Sequence, residues 1–79
     1  MRLGRRQLDV LRAAAEGRSW THHSGHGRMT IVGLDGVHPD EVLERLLELD
    51  LIRLGECRVA GHVVQLSDAG RALLLELDA

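Results

Sequence analysis

The run VLERLLELDLIRLGECRVAGHVVQLSDAGRALLLEL, residues 42–77, changes its apolar period twice within 36 residues. Val42, Leu43, Leu46, Leu47 and Leu49 recur at helical spacing, and Leu51 to Leu54 then reads as a strand. The chain turns back through Val59-Ala60-Gly61 or, alternatively, through Gly55-Glu56. It returns as a second strand from His62 to Leu66, with Val64 and Leu66 facing inward by alternation. Ser67 is an N-cap residue for a last helix, in which Ala72, Leu73 and Leu77 pack on the core and Leu74 and Leu75 widen the apolar stripe. Asp50 follows the last leucine of that helix, and Asp accepts a left-handed cap more readily than most residues. Helix, two-stranded hairpin, helix is the order this half of the chain dictates.

The first half opens with a helix from about Arg5 to Glu16. Leu8, Leu11 and Ala15, with Val10 and Ala14 beside them, form its apolar stripe, and Gly17 supplies a left-handed C-cap. After it the helical period disappears. Ser19 to His23 and Arg28 to Val32 are β-favouring runs around Gly25 and Gly27, which reads as a hairpin. Leu34-Asp35-Gly36 forms a turn, and Pro39 fits the first position of the second helix, about Pro39 to Leu49, with His38 before it. Seventy-nine residues make a single domain, 1–79, with a small core. That core is aliphatic, because the chain has one Trp and neither Phe nor Tyr. The fold expected is α+β: helix, β-hairpin, helix, two-stranded hairpin, helix.

The segments Leu46-Leu47-Glu48-Leu49-Asp50-Leu51-Ile52-Arg53 and Val64-Gln65-Leu66-Ser67-Asp68-Ala69-Gly70-Arg71-Ala72-Leu73 resemble the recognition helix, wing and following helix of winged helix-turn-helix domains, above all the MarR-like transcriptional regulators. The resemblance covers about the last half of the chain plus a generic first helix. It implies a DNA-binding regulator whose second helix enters the major groove with its N-terminal residues at the base edges. In this chain those residues are Asp40, Glu41 and Glu44, and only Arg45 is available to guanine or phosphate. Between Gly17 and Pro39, where the family has a further helix, this chain has the glycine-rich hairpin.

Charge moves the expected contact surface elsewhere. The net charge is −2, yet residues 1–28 carry six Arg against two acids and residues 29–79 four Arg against ten acids. Carboxylates beside phosphates forfeit the counterion release that dominates DNA affinity. Asp40 and Glu41 instead suit the positive end of a helix dipole, and Glu41 has Arg45 four residues on. The basic positions flank the hairpins: Arg18 and Arg28 with His22, His23 and His26 on the first, Arg58 and His62 on the second. Phosphate contact is therefore assigned to Arg18, Arg28, Arg45, Arg58 and His62, with Arg5, Arg6 and Arg12 extending the surface.

His22, His23, His26, His38, Cys57 and His62 are all possible metal ligands, but their spacing matches no metal motif, and no metal or cofactor is expected. Cys57 with His62 opposite lacks an oriented third group, so catalysis is not expected either. Trp20 has two readings, a cap on the aliphatic core or a ring that stacks on a base or partner; the cap is the reading adopted. The single cysteine and the lack of a long apolar run suit a cytoplasmic protein without a membrane span. Double-stranded DNA is the expected partner and a homodimer the expected form. The alternative is a winged helix that serves protein interaction, with the acidic second helix or the Arg-rich first helix as its contact face.

Overall fold

The computed structural model describes residues 3–23, 29–58 and 61–78. Helix α1 spans Arg5–Ala15, with Glu16 as C-cap and Gly17 at a φ of 69°, so the left-handed glycine stands where the sequence placed it. The strands β1 (Thr21–His23) and β2 (Met29–Val32) pair antiparallel with Thr21 opposite Ile31. A short strand not foreseen from the sequence, β3 (Val37–His38), folds back onto β2 after a turn closed by the Gly33 amide donating to the Gly36 carbonyl at 2.8 Å. Helix α2 covers Asp40–Glu48, and Pro39 is its N-cap rather than its first residue. Strands β4 (Ile52–Arg58) and β5 (Gly61–Leu66) form the second hairpin, and α3 (Asp68–Leu77) closes the chain. The architecture is α+β, with a three-stranded antiparallel sheet ordered β1-β2-β3 and a two-stranded one of β4 and β5.

Of the two turns open to the second hairpin, the one at Gly55-Glu56 is not made, and Val59-Ala60 of the other lie outside the described residues. Strand β4 runs through Gly55 and Glu56 to Arg58, which pairs with Gly61, and a register shift between Leu54 and Cys57 absorbs the irregularity. Asp50 adopts a φ of 56° and lets α2 turn directly into β4. Ser67 ties that corner to α3. Its hydroxyl donates to the Asp50 carbonyl at 2.6 Å and accepts from the Gly70 amide at 3.0 Å, so this buried side chain is fully used. Gly70 lies against the Leu51 carbonyl, and a Cβ there would run into that backbone oxygen. This close approach fixes which side of α3 faces inward.

The core joins Val10, Leu11 and Ala14 of α1, Ile31 of β2, Val42, Leu43 and Leu46 of α2, Leu51, Ile52 and Val64 of the second hairpin, and Leu74 of α3. Several expected positions face elsewhere. Because Gly70 sets the phase of α3, Leu74 one turn on is the buried leucine, while Ala72, Leu75 and Leu77 are exposed. Leu47 is 40% exposed, since Val42, Leu43 and Leu46 already fill the inner face of a nine-residue helix. Ala15 is exposed and Leu66 half-buried, whereas Val64 is buried as expected. Among the described residues no helix is long and apolar enough to cross a membrane.

One buried carboxylate anchors α1 to the turn before β3. Asp9, only 8% exposed between Leu8 and Val10, accepts from the amides of Leu34 at 3.2 Å and Asp35 at 3.1 Å, and from His38 Nε2 at 2.8 Å. Gly33 makes room for it, because a Cβ there would strike the Asp9 carboxylate. Burial alone pushes the Asp9 carboxyl up. The hydrogen bond from His38, the Asp35 amide, the positive charge available to His38 and the Leu34 amide together outweigh it and hold the group below the ordinary carboxylate value.

A carboxylate whose folded pKa is depressed binds fewer protons folded than unfolded. Its contribution is therefore complete above the unfolded value of about 3.9 and is lost as pH falls through the folded value. Replacing Asp9 by Asn should cost about 2 kcal/mol at pH 7, the range for removing a charged partner from buried donors. In urea unfolding followed by circular dichroism, the gap between wild type and Asp9→Asn should stay level down to about pH 4 and shrink below it. A gap that is absent at pH 7 or widens in acid would contradict this role.

Candidate nucleic-acid interface

Where the chain leaves α1, strand alternation is inverted with respect to polarity. Ser19 and Thr21 point inward, at 2% and 0% exposure, and Trp20 between them points outward at 47%. The two hydroxyls are accommodated by hydrogen bonds: Ser19 Oγ donates to the Val32 carbonyl at 2.7 Å, and Thr21 Oγ1 accepts from the His62 amide at 2.8 Å. A period of two then leaves the indole no inward direction. Trp20 is accordingly absent from the aliphatic core, which corrects its expected role as a core cap. A buried polar pair around an exposed aromatic is the reverse of ordinary partitioning and marks a surface rather than a packing device.

The same residues stitch the two sheets together. Trp20 forms an antiparallel bridge with Val63, and the Val64 amide donates to the Ser19 carbonyl at 3.0 Å. On the other side of the strand, the Val32 amide donates to the Trp20 carbonyl at 2.9 Å. Gly61 is packed so closely on the Thr21 carbonyl that a Cβ could not be accommodated without moving backbone. The start of β1 thus lies beside the start of β5, and the two hairpins stand next to each other.

This pairing unites the two longest stretches of the chain without a carboxylate. Residues 17–34 and 57–67 contain no Asp or Glu, although the chain has twelve; they hold three Arg and four of the five His. Within them, Arg18 is exposed immediately before the junction, and its amide is held by the Ala13 carbonyl at 2.8 Å. His22 and His23 are exposed on β1, and half-buried His62 sits on β5 with its backbone bound to Thr21. Arg58 ends β4 opposite Gly61; its side chain, like the whole of Arg28 and His26, lies outside the described residues.

Arg45 is set apart from this group. It is exposed on α2, paired with Glu48 at 3.3 Å, and shares that surface with Glu41 and Glu44. Arg12, expected to extend the basic surface, meets Asp78 of the α3 C-cap at 2.9 Å, so its charge is locally balanced. His38 is engaged by Asp9. Cys57 and His62 face each other across the second hairpin, as the sequence suggested. Among the described residues no three His, Cys, Asp or Glu side chains gather as a metal-binding group.

Beside the junction lies an open cleft of about 360 Å³ whose walls include Ser19, Trp20, Thr21, Gly61, His62 and Val63. Its lining offers indole, imidazole and backbone. Comparison with protein-family models, with curated proteins and with solved structures finds no match for this chain.

The junction makes opposite demands on two glycines of the second hairpin. Gly61→Ala should destabilise the fold by about 1 to 3 kcal/mol, because the added methyl meets the Thr21 backbone. Gly55→Ala meets only the end of the flexible Gln65 side chain and should change stability by less than about 1 kcal/mol. Urea denaturation of both variants measures the difference; equal effects would mean that the hairpins are not held together at Gly61.

Proposed function

We propose that this chain is a non-enzymatic DNA-binding module of the winged-helix kind, resembling a transcriptional regulator, that holds phosphates with its paired hairpins rather than with α2. The observation that carries this reading is the meeting of two acid-free segments, distant in sequence, at the β1–β5 junction. Arg18, Arg28, Arg58 and His62 supply the grip, and His22 and His23 add charge when protonated. Each neutralised phosphate releases condensed counterions, so cations carried on segments that themselves hold no carboxylate contribute affinity along a DNA backbone. Helix α2 occupies the place of a recognition helix in chain order, but Asp40, Glu41, Glu44 and Glu48 give it an acidic character that phosphates repel. Arg45, already paired with Glu48, contributes little. Since one small domain covers little DNA, the active form in this reading is a homodimer.

A second reading has its own observation. Exposed Leu47 lies on α2 among the exposed acids Glu44 and Glu48, and Val37 is 65% exposed on β3. An exposed leucine between carboxylates suits a protein partner with a basic rim, a winged-helix interaction module that does not bind DNA through α2.

Binding of a fluorescent duplex, measured by anisotropy over a salt series, separates the two. The DNA reading predicts affinity that falls steeply with salt. Arg18→Glu with Arg58→Glu should weaken it at least about tenfold and flatten the log–log salt dependence by about 2, whereas Arg45→Glu should leave it within about twofold. Absence of binding at low salt, together with a stable complex by light scattering that Leu47→Glu disrupts, would favour the interaction module instead.

A further inference from the structure

We propose that Trp20 is a base-stacking residue and that the junction cleft takes an unpaired nucleobase, so that the preferred ligand is single-stranded rather than fully paired DNA. The inference rests on the DNA-binding reading and narrows it to a ligand and a contact.

Trp20 is the chain's single tryptophan, with no Phe or Tyr beside it, and its placement is set by the fold. Ser19 and Thr21 occupy the inward positions on either side, each committed to a hydrogen bond, so the indole is directed outward and stays half exposed. Backbone bonds on both edges of the strand, to Val63–Val64 on one side and Val32 on the other, hold its main chain in place. An aromatic ring on a rigid strand loses little freedom when a base stacks on it, and stacking of this kind tolerates any base because all have a π face.

The cleft beside the ring has the character of a base site. Its volume of about 360 Å³ lies at the low end of the roughly 300 to 1,000 Å³ typical of small-molecule sites. Val63 and the indole provide apolar walls, and the half-buried His62 brings a polar group to it. Its flanks are the acid-free segments, with Arg18 two residues before Trp20 and Arg58 opposite Gly61. A base in the cleft therefore has the exposed Arg18 close by in the chain for an adjoining phosphate, the combination of stacking platform and cation that suits single strands. In a paired duplex the bases are stacked on one another, and using the cleft would require unstacking one of them.

The single tryptophan makes the contact directly observable. Intrinsic fluorescence of the whole chain is titrated with an oligo-dT strand of about 12 nucleotides, within the usual site size, and separately with a duplex of the same length. Binding of both strands is followed in parallel by anisotropy of an end label. The expected result is saturable quenching by the single strand, tighter binding to it than to the duplex, about tenfold weaker single-strand binding by Trp20→Ala, and partial recovery in Trp20→Phe. Because Trp20 is half exposed and outside the core, circular dichroism of both variants should match wild type. Duplex binding at least as tight as single-strand binding, without quenching and unchanged in Trp20→Ala, would overturn the stacking role while leaving the DNA-binding reading intact. No anisotropy change with either DNA at low salt would overturn both.

Discussion

The contact between the start of β1 and the start of β5 is the constraint on which the surface of this protein depends. Without it the chain is two hairpins on a shared aliphatic core. With it, the Trp20–Val63 bridge, the Val64 to Ser19 hydrogen bond and the seat of Gly61 on Thr21 place residues some forty positions apart side by side. Two buried hydroxyls are retained at this point where a small protein would ordinarily bury aliphatic groups, and each is matched to a backbone partner. Their inward orientation is what directs the single indole ring outward. A single stretch of strand alternation thus connects the packing of the fold to the character of its surface.

Charge follows the same division. The carboxylates are concentrated on α2, in the turns and at the helix ends, where they cap, pair or face water: Asp68 lies in the first turn of α3, Glu48 pairs with Arg45, and Asp78 with Arg12. The exposed pairs add little stability. Their effect is one of field, because they balance Arg12 and Arg45, whereas the acid nearest in sequence to Arg18 is Glu16 and to Arg58 is Glu56, each two residues before it. Asp9 is the exception, a carboxylate taken into the interior and satisfied by His38 and two amides, where it pins the turn that leads into β3.

Local signals in the sequence reached as far as local physics does. Gly17, Asp50 and Ser67 each perform the backbone task their chemistry suggests, so the ends of α1 and α2 and the start of α3 were legible. The inward faces of the helices were legible only in part. Leu47, Leu75 and Leu77 belong to apolar stripes by spacing, but the contact of Gly70 with Leu51 and the shortness of α2 decide which leucines are covered. Trp20 was misread because residue size argues for burial while the hydrogen bonds of Ser19 and Thr21, made to residues far along the chain, argue against it. The Asp9–His38 link spans 29 positions. Its one trace in the sequence is an acid lodged within the apolar stripe of α1, between Leu8 and Val10. Among the residues proposed to bind DNA, the basic character of the hairpins was visible, but their meeting at one junction was not.

The most direct test of the central claim, that the paired hairpins rather than α2 meet the nucleic acid, is a map of backbone amide shifts in isotopically labelled protein as DNA is added at low salt. The amides of residues 18–23 and 61–65 are expected to move together and saturate at one affinity, while those of residues 40–48 stay in place. Saturable shifts concentrated on residues 40–48, with residues 18–23 unmoved, would contradict it.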